Sequence, residues 1–150
     1  GDRIPLETER GYNTTLPAGA FDLRTHLTFG GHGFVVTRAG QGVRVGGAVE
    51  LGGLARAPDY RRAEILLQKA AAFLPELKTD GGTRWMGFRP SLPDSLPVIG
   101  TAPGAPGVIL AFGHGHLGLT QSAATGELAA ALAAGRDPAL PLDPFSPARF

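Results

Sequence analysis

One stretch, VILAFGHGHLGLTQSAATGELAAAL, constrains the fold more than any other part of this chain. An apolar, strand-like run leads into Gly113, Gly115 and Gly118, and a helix-like run follows from Leu119 to Ala134, with Gly135 just past its end. Glycines permit a tight strand-to-helix turn, and the helix N-terminus then presents free N–H groups and a partial positive charge. The spelling GxGxxG matches a dinucleotide fingerprint, but that unit needs a second parallel strand after the helix, with an acidic residue for the ribose. Beyond Gly135 the chain offers only RDPALPLDPFSPARF, which supplies no such strand. What survives is a strand–turn–helix whose N-terminus suits an anionic or electron-rich group, or a glycine turn required by packing alone.

The rest of the chain reads mainly as β-structure. Residues 3–12 alternate as a strand. Phe34–Thr37 and Val43–Val45 are β-favouring runs separated by a glycine-containing hairpin signal. In DYRRAEILLQKAAAFLP the period changes: Ile65, Leu66, Lys69, Ala70, Phe73 and Leu74 fall at helical spacing, Asp59 is a candidate N-cap, and Pro75 ends the run. A short strand at Trp85–Arg89 opens a segment punctuated by Pro90, Pro93, Pro97, Pro103 and Pro106, which predicts an ordered but irregular crossing. VILAF reads as a buried strand and the C-terminal tail as extended. These elements make an α+β fold, an antiparallel sheet with a covering helix plus a terminal strand and helix.

Composition narrows the function. The 14 basic and 13 acidic residues nearly cancel, which argues against nucleic acid as a partner. With no cysteine there is neither a disulfide framework nor a thiolate metal site. His114 and His116 lack neighbouring carboxylates or thiolates in the sequence, so no metal is expected. The longest apolar runs are too short to span a bilayer, and no stretch reads as a signal peptide. The chain enters a strand almost at once, as a portion of something longer would.

Three segments, in order, resemble the FAD-dependent amino-acid oxidases and dehydrogenases of the D-amino-acid oxidase type. Trp85-Met86-Gly87-Phe88-Arg89-Pro90 with Pro93-Asp94, Pro97 and Ile99-Gly100 is similar to the signature W-x-G-x-R-P-x-x-P-D-x-x-P-x-I-G. Gly113-His114-Gly115-His116-Leu117-Gly118-Leu119-Thr120 is similar to the turn G-H-G-x-x-G-x-T. Arg44-Val45-Gly46-Gly47 is similar to an R-x-G-G strand end, and Arg10-Gly11 and Pro147–Phe150 extend the likeness over nearly the whole chain. Bacterial D-amino-acid dehydrogenases are the subgroup most alike in appearance.

The resemblance implies FAD as cofactor, an amino acid as substrate, and hydride transfer that yields a 2-oxo acid and ammonia after hydrolysis. It also implies that residues 1–100 are a portion of the substrate-binding domain, that 101–150 are the last strand and helix of the FAD domain, and that the N-terminal FAD-binding half is a missing partner. Arg89 would bind the substrate carboxylate, for which a guanidinium offers two parallel donors. The carbonyl of His116 would accept from the substrate amine. Leu119 and Thr120 would supply N–H groups to the pyrimidine edge of the flavin, with Gly115 and Gly118 allowing close approach. Phe34 and His32, on one face of an alternating strand, would flank the substrate side chain where relatives carry a tyrosine, while Trp85 would serve in packing. No catalytic acid or base is implied. The location implied is cytoplasmic, with peripheral contact at the inner membrane where a quinone takes the electrons. Two alternatives stand beside this reading: a secondary-amine oxidase acting on hydroxyproline-like or N-methyl amino acids, and a binding module that keeps the fold without redox chemistry.

Overall fold

A computed structural model describes residues 3–150. They divide into two compact units, one of residues 10–88 and one that joins the chain through Glu9 with residues 89–150. Within each unit the packing is denser than across the divisions at Glu9 and Phe88.

Residues 10–88 are organised by a five-stranded sheet in the order β2-β3-β4-β1-β5. The strands are β1 (Glu7–Leu16), β2 (Leu27–Phe29), β3 (Phe34–Ala39), β4 (Gly42–Leu51) and β5 (Thr83–Ser91). β1 begins four residues later than the sequence suggests and runs on to Leu16, because Pro5 has no N–H to give a ladder. β3 and β4 form the expected antiparallel hairpin, with Ala39 opposite Gly42 and Gly40 turning at φ 62°. Arg44-Val45-Gly46-Gly47 lies within β4 rather than at its end, since β4 continues to Leu51.

Alternation places Phe34 and Val36 of β3 on the core face with Val43 and Val45 of β4. Helix α1 (Arg61–Phe73) covers them with Leu66 and Ala70. Ala63, Leu66 and Ala70 are its buried residues, whereas Ile65 is 52% exposed because it sits about 100° round the helix from Leu66. The carboxylate of Asp59 accepts from the Arg61 N–H at 3.2 Å and thus caps the helix from one position before Tyr60. Leu74 closes the other end, its N–H on the Ala70 carbonyl, and Pro75 prevents a further turn.

A charged cluster is buried in the same unit. Arg10 is fully buried and its Nε lies 3.4 Å from a carboxylate oxygen of Glu50, itself 4% exposed. The Tyr12 hydroxyl donates to Glu50 at 2.6 Å, and Arg62 and Arg56 approach the other oxygen at 3.4 and 3.6 Å. Hydrogen bonding from Tyr12, then the charges of Arg62, Arg10 and Arg56, hold the Glu50 carboxyl below the usual carboxylate range.

The second unit is built on an antiparallel hairpin of β6 (Val98–Ala102) and β7 (Ala105–Phe112), covered by helix α2 (Gly118–Ala133). The proline-rich segment is therefore more regular than its sequence implies: β5 reaches Ser91, and Pro97 and Pro103 flank β6 rather than interrupt it. β5 tolerates Pro90 because an edge strand has a free side. β7 is exposed or half-buried, with Val108 48% exposed, whereas Val98, Ile99 and Gly100 of β6 are buried. The end of α2 is a Schellman motif in which Gly135, at φ 62°, donates to Leu132 and Arg136 donates to Ala131. The tail is folded back in short 3₁₀ turns: Pro147 is buried on Gly100, and Arg149 Nε meets Asp94 at 2.7 Å. That bond holds the Asp94 carboxyl below its ordinary value, so the Pro93-Asp94 motif anchors the tail. Among the described residues, no helix is long and apolar enough to cross a membrane.

Candidate functional site

Two segments of the second unit converge on a cavity of about 280 Å³. The first is the end of β5 and the turn after it, which contribute Ser91, Leu92 and Ser95; the second is the glycine turn from Gly113 to Leu117. Glu9, at the start of the chain, closes a third side. The volume is below that of a site for a drug-sized molecule and suits a small polar group or one edge of a larger ligand.

The turn needs its glycines for separable reasons. Gly113 stands at φ 83°, and a Cβ there would come within 2.6 Å of Leu92. Gly115 stands at φ 52°, and a Cβ would press on the Ser91 hydroxyl at 3.1 Å. Gly118 differs. Its φ of −53° is ordinary helix and a Cβ would meet nothing nearer than His114 at 3.7 Å, so neither conformation nor packing in this chain demands glycine there. A 3₁₀ turn, Gly115–Leu117, carries His116 into α2, and no side chain caps the helix. The start of α2, with Leu119 91% exposed and Thr120 exposed, is thus an accessible, positive helix end.

On β5, Arg89 and Ser91 are two residues apart and so share a face of the strand. Buried Nη1 of Arg89 and Oγ of Ser91 both lack a hydrogen-bond partner among the described residues. Such orphans are costly and call for a partner, a water or a ligand, and the described residues hold eleven buried side-chain atoms of this kind, those of Arg10 among them. His116 turns its ring to Glu9, with Nε2 hydrogen-bonded to the carboxylate. His114 is occupied differently: Nε2 shares a hydrogen bond of 2.9 Å with Thr125 of α2, and burial pushes its pKa down. No group of three or more His, Cys, Asp or Glu side chains suited to a metal ion occurs among the described residues.

The structure thus brings His116, Gly115 and Ser91 to one cavity, with Gly118, Leu119 and Thr120 following at the helix end; Arg89 stands two residues before Ser91 on β5 and is not part of the lining. Phe34 and His32 belong to the other unit and do not share a strand face. Phe34 is 2% exposed and stacks on Phe29 at 4.4 Å within the core, so it is committed to packing. His32 lies in the 3₁₀ turn Gly30–His32, because β2 stops at Phe29, and its exposed ring rests on Phe73 at 4.6 Å. Trp85 is 57% exposed, contrary to a packing role in the interior; its ring lies over Gly87, where a Cβ would run into it. Glu9 and Ser91 escape the sequence reading. Ser91 could be found from its i+2 relation to Arg89, whereas nothing local marks Glu9, whose partner is 107 residues away.

The FAD dependent oxidoreductase family, DAO, matches residues 1–132. The chain is 44% identical to a D-amino-acid oxidase of Bradyrhizobium diazoefficiens, over all of this chain and 37% of that protein. It is 35% identical to a D-amino acid dehydrogenase of Paramagnetospirillum magneticum, over all of this chain and 36% of that one. Among solved structures it resembles glycine oxidase from Geobacillus kaustophilus, with a TM-score of 0.84 and 26% identity over all of this chain and 41% of the other. It also resembles iminodiacetate oxidase from Chelativorans, with a TM-score of 0.82 and 25% identity over 98% of this chain and 41% of the other. The chain therefore spans little more than a third of the curated relatives it matches. With the strand–turn–helix, the α+β architecture and this match over most of its length, the chain belongs to the DAO family of FAD-dependent oxidoreductases.

Proposed function

We propose that the protein carrying this chain oxidises D-amino acids to 2-oxo acids and ammonia by hydride transfer. FAD, when bound, supplies the hydride acceptor. The observation that carries the reading is the orphaned, buried Nη1 of Arg89. A substrate carboxylate would satisfy it through a charge-assisted hydrogen bond, which is stronger than a neutral one and fixes the orientation of the amino acid. The His116 carbonyl accepts from the substrate amine, so two points of attachment place the α-hydrogen.

The residues present fit the cofactor. The uncapped N–H groups of Leu119 and Thr120 favour negative charge, and Gly118 lets a planar ring edge approach where a side chain would intervene. In this reading residues 101–150 belong to the FAD side of the protein. Leu92 packs against the Gly113 backbone and forms an apolar part of the cavity wall. A second reading, a secondary-amine oxidase, is favoured by the likeness to iminodiacetate oxidase, since iminodiacetate is itself a secondary amine.

The test is the absorbance of the full-length, FAD-loaded protein with D-amino acids and N-methyl amino acids in the absence of oxygen. Bleaching by D-amino acids supports the first reading, and bleaching by secondary amines alone supports the second. Arg89→Ala should raise KM about 10- to 100-fold, the equivalent of losing one hydrogen bond between charged groups. An unchanged KM would remove Arg89 from the carboxylate site.

A further inference from the structure

Glu9 and His116 form a pair on the wall of the cavity, from elements at opposite ends of the chain. A carboxylate can only accept, so His116 Nε2 carries the proton of their hydrogen bond, and in the neutral ring the free lone pair is then on Nδ1. We propose that the His116 side chain is a catalytic base, oriented by Glu9, that takes a proton from the substrate ammonium before oxidation. This rests on the amino-acid reading above and names a chemical role that the hydride mechanism leaves open.

The need for such a group follows from electron counting. An α-hydrogen can leave with its bonding pair only if the adjacent nitrogen has a lone pair to form C=N, and an ammonium has none. In the step assigned to His116, a substrate N–H bond breaks, an Nδ1–H bond forms, and the positive charge passes from the substrate nitrogen to the imidazole. The imidazolium then faces the Glu9 carboxylate, which stabilises it as an orienting acid does in a nucleophile–histidine–carboxylate triad. The α-hydrogen leaves with its electron pair to the flavin that the proposed activity supplies.

The other titratable residue of the lining, and the charged residues next to the lining in sequence, have different engagements. His114 is held by Thr125, and burial lowers its pKa. Glu7, two residues before Glu9 on β1, accepts from the Thr8 N–H at 2.7 Å. Asp94, beside Ser95, is bonded to Arg149. Arg10, next to Glu9 in sequence, is committed to Glu50. Arg89 stands two residues from Ser91 on the strand that lines the cavity, so that strand carries a cation for a carboxylate while the cavity holds a carboxylate-backed base for an ammonium. Those are the two ends of an amino-acid zwitterion.

The test uses the full-length FAD-loaded protein and its Glu9→Gln and His116→Gln variants. The dependence of kcat/KM for a D-amino acid on pH is measured beside the affinity for benzoate, a carboxylate without an amine, read from the flavin spectrum. Without the Glu9 carboxylate the His116 ring loses the partner that orients it, so Glu9→Gln should lower kcat/KM about 10-fold or more. His116→Gln should lose the acid limb of the profile. Benzoate affinity should be unchanged in both, which reports a folded site. Wild-type pH profiles in both variants, or benzoate affinity falling in step with kcat/KM, would overturn the role. If no amino acid reduces the unaltered protein's flavin, the amino-acid reading fails and the base falls with it; an active parent with insensitive variants removes the base alone.

Discussion

Gly47, in the middle of β4, gives the sharpest test of how this fold is packed. It stands at φ 146°, and a Cβ there would lie 2.5 Å from the Gly33 carbonyl oxygen and 2.8 Å from the Phe34 Cα. Both are backbone atoms of the segment that leads into the core strand β3, so no side-chain rotation can relieve the overlap. Backbone strain at such a φ costs about 1–3 kcal/mol, and forced overpacking adds about 1–3 kcal/mol more, so Gly47→Ala should destabilise by about 2–6 kcal/mol. Two neighbours separate these contributions. Gly53, at φ 61° with nothing within 4 Å of its Cβ, carries only conformational strain; its alanine variant should cost about 1 kcal/mol or less once the stiffer unfolded chain is counted. Gly46 has no such strain but presses on Asn13 Cβ at 3.1 Å, which predicts about 1 kcal/mol. The assay is the thermal midpoint of the full-length protein, where about 2–4 °C per kcal/mol should leave Gly47→Ala clearly lowest. A Gly47→Ala midpoint equal to that of Gly53→Ala would refute the argument that backbone contact makes this glycine necessary.

Glu50→Gln should destabilise more than Arg10→Met, as ranked by urea midpoint, because among the described residues Arg10 has Glu50 alone as a charged partner while Glu50 keeps Tyr12, Arg62 and Arg56. The hydrogen bond from Arg61 holds the Asp59 carboxyl at about 2, below its ordinary 3.8, so its contribution is complete above 3.8 and lost as pH falls through about 2. Amide exchange at the start of α1 should follow that window, and Asp59→Asn should flatten it. Gly135→Ala removes only the left-handed cap, with nothing within 4 Å of the new methyl, and should cost about 1 kcal/mol of stability by thermal melting. Arg149→Ala frees Asp94 to titrate near its usual value and should release the tail, detectable as faster proteolysis after Leu142.

Elements set by local chemistry were legible in the chain itself. The β3–β4 hairpin follows from two β-branched runs around Gly40, α1 from its helical spacing and Pro75, and α2 from the glycine turn and Gly135, all features that act within a few residues. The resemblance, likewise, rests on motifs short enough to read in a line: Arg89 in its proline-flanked strand and the turn from Gly113 to Thr120. Tertiary structure alone decided the remainder. β6 became a strand because β7 folds back beside it, and its prolines could sit at the ends. Ile65 turned outward and Phe34 inward because the sheet offers α1 one face only. Glu9 reached His116, and Arg10 reached Glu50, across separations at which no sequence periodicity operates. Local backbone preferences act between near neighbours and can be read along the chain, whereas burial, charge pairing and the walls of a cavity depend on which distant segments come into contact, and that is determined only when the whole core has packed.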